Sequence, residues 1–216
     1  MAKLKIGVLI SGRGSNLQVL IDTCSEPDFP AEIVLVLSNI HGVMGLDRAA
    51  KAGIPTAVID YTEFNSREEF DHEMTEVLEA NGVEFVFMAG FMRLLSDPFV
   101  ERWYDRLVNI HPSLLPAFKG LNVHQRIIEE GARFSGCTVH YVRPALDDGP
   151  IIVQACVPVH QDDTPDVLAA RVLEQEHVIY PMALKLIAEG RVQVADELAI
   201  IEDPTYPNET LINPKI

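Results

Sequence analysis

Leu4-Lys-Ile-Gly-Val-Leu-Ile-Ser-Gly-Arg-Gly-Ser-Asn-Leu-Gln-Val-Leu-Ile-Asp-Thr-Cys24 decides the fold class. Leu4–Ile10 is an apolar run of strand length, Ser11-Gly-Arg-Gly14 is a turn, and Ser15–Cys24 sets Leu17, Leu20 and Ile21 on one helical face, with Ser15 placed to cap. The alternation then repeats. Ile33–Leu37 reads as a buried strand, Leu46–Ala52 as a helix closed by Gly53, and Thr56–Ile59 as a strand. Ser66-Arg-Glu-Glu69 is a capping box that opens a helix burying Phe70, Met74, Val77 and Leu78, and Val83–Met88 is a fourth strand. Strands joined by helical crossovers make a doubly wound, mostly parallel, Rossmann-like α/β sheet.

After residue 108 the pattern changes. Leu107–Ile110 is a strand that meets Pro112, and Val123–Glu130 is a helix stopped by Gly131. Cys137–Val142 and Ile151–Val157 read as an antiparallel pair around Leu146-Asp-Asp-Gly-Pro150. Thr164-Pro165 starts a long helix with Val167, Leu168, Val172 and Leu173 on its inner side. The expected organisation is a nucleotide-binding half over 1–108, a second half over 109–202 sharing the same sheet, and a proline-rich tail over 203–216.

Over 216 residues the net charge is −15, the wrong sign for gripping nucleic acid or an anionic membrane by bulk electrostatics. The charge is uneven: residues 1–55 are neutral, while 56–108 and 109–216 carry the acidic excess. Cys24, Cys137 and Cys156 are too scattered for a disulfide framework, which fits a reducing cytoplasm, and no segment has the pattern of a leader or a membrane span. Hence the expected partners are small molecules, with no nucleic acid and no membrane, on a monomer or homodimer.

Gly7-Val-Leu-Ile-Ser-Gly-Arg-Gly14 has the outline of a nucleotide P-loop but carries Arg13 where the phosphate-binding Lys belongs and Gly14 where the magnesium-binding hydroxyl belongs. The dinucleotide fingerprint fails as well, since Leu17 stands at its third glycine and Ser38-Asn39 offers no acid for a ribose. What survives is a Gly-rich turn before a helix start at Ser15 and Asn16, either an anion pocket for one phosphate or a plain tight turn. A second constellation is Val108-Asn-Ile-His-Pro-Ser-Leu-Leu-Pro116. Residues two apart on a strand share a face, so Asn109 and His111 project together at a strand end, where open α/β sheets place their sites. Both can donate to an oxyanion as a carbonyl becomes tetrahedral, and His111 can pass a proton. Asp147 and Asp148, in the turn between two strands, are the carboxylates available to it. No metal-ligand spacing and no G-x-S-x-G elbow occurs.

Asn109–Pro116, Gly12-Arg-Gly-Ser-Asn16, Leu146-Asp-Asp-Gly149, Ala89-Gly-Phe-Met-Arg93 and Gln175-Glu-His-Val-Ile-Tyr-Pro181, in this order, resemble the folate-dependent formyltransferases, specifically the phosphoribosylglycinamide branch. The resemblance runs over nearly the whole chain. It implies formyl transfer from 10-formyltetrahydrofolate, as co-substrate and without a metal, to the amine of glycinamide ribonucleotide in purine synthesis. On that pattern Asn109, His111 and Asp147 are catalytic, with Asp147 favouring the cationic form of His111. Gly14, Ser15, Asn16 and Glu176 hold the ribonucleotide. Arg67, Met92, Arg93, Leu94 and Leu95 line the folate site with Asn109, and the Arg143–Asp147 loop covers the pterin. Two places depart from the commonest pattern: Phe118-Lys-Gly-Leu-Asn-Val-His124, which resembles another branch of the family, and Arg143, where a small polar residue is usual. The alternatives are a formyltetrahydrofolate hydrolase, another formyltransferase of this fold, or a phosphoribosyl-binding module without activity. Room for a tRNA-binding barrel after residue 190 or a regulatory domain before Leu4 is not expected.

Overall fold

The computed structural model describes residues 2–215. Its elements run β1 (Leu4–Ile10), α1 (Ser15–Cys24), β2 (Ala31–Ser38), α2 (Met44–Lys51), β3 (Thr56–Val58), α3 (Arg67–Ala80), β4 (Phe85–Met88), α4 (Asp97–Arg102) and β5 (Leu107–His111). Then follow α5 (Val123–Glu129), β6 (Phe134–Tyr141), β7 (Ile151–Pro158), α6 (Pro165–Ala188), β8 (Val192–Ala195) and β9 (Leu198–Ile201). Seven strands form one sheet in the order β3-β2-β1-β4-β5-β6-β7, and β8-β9 form a separate hairpin. β1 to β5 are parallel neighbours, whereas β5–β6 and β6–β7 are antiparallel, so the expected α/β sheet with an antiparallel C-terminal pair is what the chain adopts.

β1 shows why the sheet is central. Ile6, Val8 and Ile10 face a core layer shared with α1, α5 and α6, while Leu9 faces the layer of α3 and α4. A strand apolar on both faces must be covered on both. Full burial of such a side chain contributes about 1.5–3 kcal/mol. The second layer is anchored by Phe70, Met74 and Leu78 of α3 against Trp103, which is 1% exposed. Because β1 pairs with β2 on one side and β4 on the other, the strand order reverses there, and a crevice opens at the strands' carboxyl ends.

Several local expectations shift. Ser15 is the first helical residue rather than the cap: Gly14, in the left-handed region at φ 66°, takes the cap position and no side chain caps α1. Gly14 is required twice over, since a Cβ there would also lie 2.9 Å from the Gly45 backbone. At α3 Ser66 Oγ accepts from Glu69 N at 3.1 Å, but the Glu69 carboxylate reaches back to Asn65 N rather than Ser66 N. Val167 on α6 is exposed and Val77 half-buried, while Leu168 and Val172 are inside as expected. α4 spans six residues and β8 and β9 four each, too short to stand out as periodic segments. Among the described residues no helix is long and apolar enough to cross a membrane.

Candidate functional site

β5 delivers the central pair. Val108 and Ile110 enter the core and Asn109 and His111 project from the opposite face, as strand alternation dictates. His111 is buried, and its two ring nitrogens both meet oxygen: Nδ1 lies 3.4 Å from Asp147 Oδ1 and Nε2 lies 3.0 Å from the Phe118 carbonyl. Nε2–H donates to the Phe118 carbonyl, and the Asp147 contact is an ion pair when Nδ1 is protonated as well. Asp147 sits in the left-handed region at φ 44°, and its second oxygen accepts the Gly120 N–H at 2.7 Å. Of the two aspartates it is Asp147 that lies against His111, whereas Asp148 pairs with Lys119 at the surface.

Sequence reasoning did not single out His140 as a neighbour of this group. It stands opposite Asn109 across the β5–β6 ladder. Its Nδ1 is 2.8 Å from the Tyr141 carbonyl, which can only accept, and burial holds its pKa below the ordinary histidine value. Nε2 therefore presents a lone pair to Asn109 Nδ2, 3.5 Å away, at the long end of a hydrogen bond. That leaves the second amide hydrogen of Asn109 for another acceptor.

Among the described residues the hydroxyls next to His111 on the strand and the ladder are engaged elsewhere: Thr138, its β6 partner, donates to the Ser113 carbonyl at 2.7 Å. The Ser113 hydroxyl is buried and donates to the Ala117 carbonyl at 2.6 Å. Cys137 lies in the core, where burial pushes its thiol up to about 12. Among the described residues no cluster of three or more His, Cys, Asp or Glu side chains could hold a metal ion.

A second buried polar group joins α1 to α6. Asn16 Nδ2 donates to Glu176 Oε2 at 2.7 Å across 160 residues of sequence. Burial pushes the Glu176 carboxyl above its ordinary value, partly offset by that amide. Asn16 Oδ1 is buried without a protein partner. Beside it stands the start of α1, whose first-turn N–H groups have no intrahelical acceptor, so the position favours an anion. Gly14, Ser15, Asn16 and Glu176 are thus brought into one place, as the sequence suggested.

The residues assigned to folate divide into two sets. Met92 and Leu94 are exposed at 70% and 63%, Leu95 is half-buried against the α3–α4 layer, and the Arg93 guanidinium stacks 4.0 Å over the Tyr61 ring. Arg67 opens α3 at the surface. Ser11 Oγ accepts from Met92 N at 2.8 Å and donates to Asn39 at 2.6 Å, so one serine ties the ends of β1 and β2 to this segment. At its far end the segment is gripped by buried Asp71, which accepts from Ser96 N at 2.6 Å. A polar residue directly after an apolar strand was the only sequence signal for Ser11, and Asp71 gave none beyond interrupting the apolar face of α3. The Arg143 side chain is 7% exposed and bound to Asp105 and Glu197, with its guanidinium 3.8 Å over Tyr104, so it is already committed within the protein.

Comparison with known proteins shows which family the chain is similar to. The formyl transferase family matches residues 4–184. The chain is 42% identical over 204 residues to the phosphoribosylglycinamide formyltransferase of Escherichia coli strain K12, covering 94% of this chain and 96% of that one. It is 53% identical over 194 residues to the trifunctional purine biosynthetic protein adenosine-3 of Gallus gallus, covering 90% of this chain but only 19% of that much longer protein. Among solved structures, glycinamide ribonucleotide transformylase 1 from Symbiobacterium toebii superposes with a TM-score of 0.91 at 44% identity, over 93% of this chain and 95% of that one.

Proposed function

The chain belongs to the formyl transferase family, and from that premise we propose that it moves a formyl group from 10-formyltetrahydrofolate to the amine of glycinamide ribonucleotide. The observation that carries the reading is the convergence of Asn109, His111 and Asp147 at the carboxyl end of β5, with the neighbouring Ser113 and Thr138 hydroxyls donating to backbone carbonyls.

The amine attacks the formyl carbon directly. As the N–C bond forms, the carbonyl electron pair moves to oxygen, and Asn109 Nδ2–H and a ring N–H of His111 donate to the oxyanion. To offer Nε2–H, His111 must leave the Phe118 carbonyl, an exchange of one oxygen acceptor for a more highly charged one. Collapse of the intermediate expels the folate nitrogen, which gains the proton that the amine loses. Asp147 holds His111 in place and balances its positive charge.

At the other end, the first-turn amides of α1 with Ser15 and Asn16 bind the phosphate, and Glu176 accepts from the ribose hydroxyls. Met92 and Leu94 offer apolar surface to the folate rings, Arg67 and Arg93 favour its carboxylates, and the 143–147 loop contributes backbone rather than the Arg143 head group.

The test mixes the protein with both substrates and follows loss of the formyl group from folate, with a control lacking the ribonucleotide. Amine-dependent deformylation is expected. Equal rates without the amine would make the protein a formyltetrahydrofolate hydrolase, and no deformylation in either case would leave a ligand-binding module.

A further inference from the structure

The Arg143 cluster lies outside the machinery described above, yet it grips the loop that carries Asp147. Arg143 Nε donates to Glu197 Oε2 at 2.6 Å, Nη2 to Asp105 Oδ1 at 2.7 Å and Nη1 to the Val142 carbonyl at 3.2 Å. Tyr104 lies under the guanidinium and donates its hydroxyl to the other Glu197 oxygen at 2.8 Å. Three separate segments are drawn to one side chain: the approach to β5, the start of the 143–149 loop and the turn of the β8–β9 hairpin. Asp105 and Glu197 both occupy the left-handed region, at φ 55° and 58°, so the backbone is bent to present them.

The loop itself is short and closed. Arg143 N donates to the Asp148 carbonyl at 3.2 Å and Tyr141 N to the Pro150 carbonyl at 2.9 Å. A side chain at Gly149 would collide with the Tyr141 carbonyl, and its φ of 123° is strained for other residues. Such a loop has little slack between Arg143 and Asp147. Displacing one end moves the other.

We propose that Arg143 is a positioning residue: Glu197, Asp105 and Tyr104 lock its guanidinium, and the locked loop holds Asp147 against His111 and Gly120. The C-terminal hairpin thereby acquires a role in the reaction although it lies outside the catalytic strand. This rests on the formyl-transfer reading for its kinetic consequence but not for its structural one.

The experiment compares Arg143→Met, Asp147→Asn and the double variant by kinetics, and records hydrogen exchange of the Gly120 amide, which is bonded to Asp147. Arg143→Met should lower kcat about tenfold, keep the ribonucleotide KM within about twofold, and lower Gly120 protection. In the Asp147→Asn background it should add no further loss. Unchanged kcat with unchanged Gly120 protection, or a loss that adds fully to that of Asp147→Asn, would overturn the proposal. Should Arg143→Met not fold, Glu197→Gln and Tyr104→Phe each remove one partner and should show the same non-additivity at about two- to threefold. If the wild-type protein transfers no formyl group, the functional reading falls, and the Gly120 amide alone decides the positioning.

Discussion

Asn16 and Glu176 meet from two helices packed on the same face of the sheet, whereas Asn109, His111 and Asp147 are drawn together from a strand end and a loop, with the Phe118 carbonyl closing the far side. The first pair is one hydrogen bond between long rigid elements, with an unpartnered amide oxygen left over. The second is a chain in which each group has a partner: His140 to Asn109, Asp147 to His111, Gly120 to Asp147 and, further out, Glu197 to Arg143. A binding site needs a fixed wall and a free polar atom. A site that stabilises a transient charge needs groups held in orientation before the charge appears, and those require a surrounding shell.

The comparison breaks most sharply if the two ends fail to separate kinetically. His111→Ala should reduce kcat by roughly two to four orders of magnitude while leaving the ribonucleotide KM near the wild-type value, because the proposed mechanism uses this donor only once the oxyanion has formed. Steady-state kinetics with saturating folate checks this. A comparable rise in KM with kcat intact would place His111 at the binding end and collapse the distinction.

At the other end the expected pattern inverts. Glu176→Gln preserves size and one acceptor for Asn16 but removes the charge proposed to receive ribose hydroxyls. It should raise the ribonucleotide KM about tenfold, the worth of one charge-assisted hydrogen bond, with kcat changed less than about threefold. Folate KM should not move. If it does, the two ends are coupled through the sheet more tightly than their separate construction implies.

Much of this was legible in the sequence, and the residues show why. The uninterrupted apolar stretches Gly7–Ile10, Ile33–Leu37 and Phe85–Met88 write burial on both faces into β1, β2 and β4, whereas short β3 at the sheet edge is only partly buried. Asn109 and His111 were legible because period two in a strand is rigid. The partners that complete the site were not. His140 reaches Asn109 only through the antiparallel register of β5 with β6, and Phe118 acts through its carbonyl, which any residue would supply. The resemblance set Arg143 on the loop over the pterin but said nothing of its side-chain contacts, which depend on Asp105 and Glu197, 38 and 54 residues away, and on left-handed turns that an acidic residue does not announce.

The smallest expected effect concerns stability at the binding end. Burial raises the Glu176 carboxyl above its ordinary value of 4.5 in the folded protein, against the opposing hydrogen bond from Asn16. Below that ordinary value the side chain is neutral folded and unfolded alike, and its ionisation costs nothing. As pH rises above it the unfolded chain releases this proton more readily than the folded one, so stability falls until the folded carboxyl has also ionised. Glutamine has no proton to release. The difference in Tm between Glu176→Gln and wild type should therefore move in favour of glutamine as pH increases from below the ordinary glutamate range toward neutrality, then level off, each kcal/mol appearing as about 2–4 °C. Thermal unfolding across that window decides it. A difference that stays flat would mean that the Asn16 hydrogen bond cancels the burial penalty, and one that moves toward the wild type that it stabilises the carboxylate by more than burial costs.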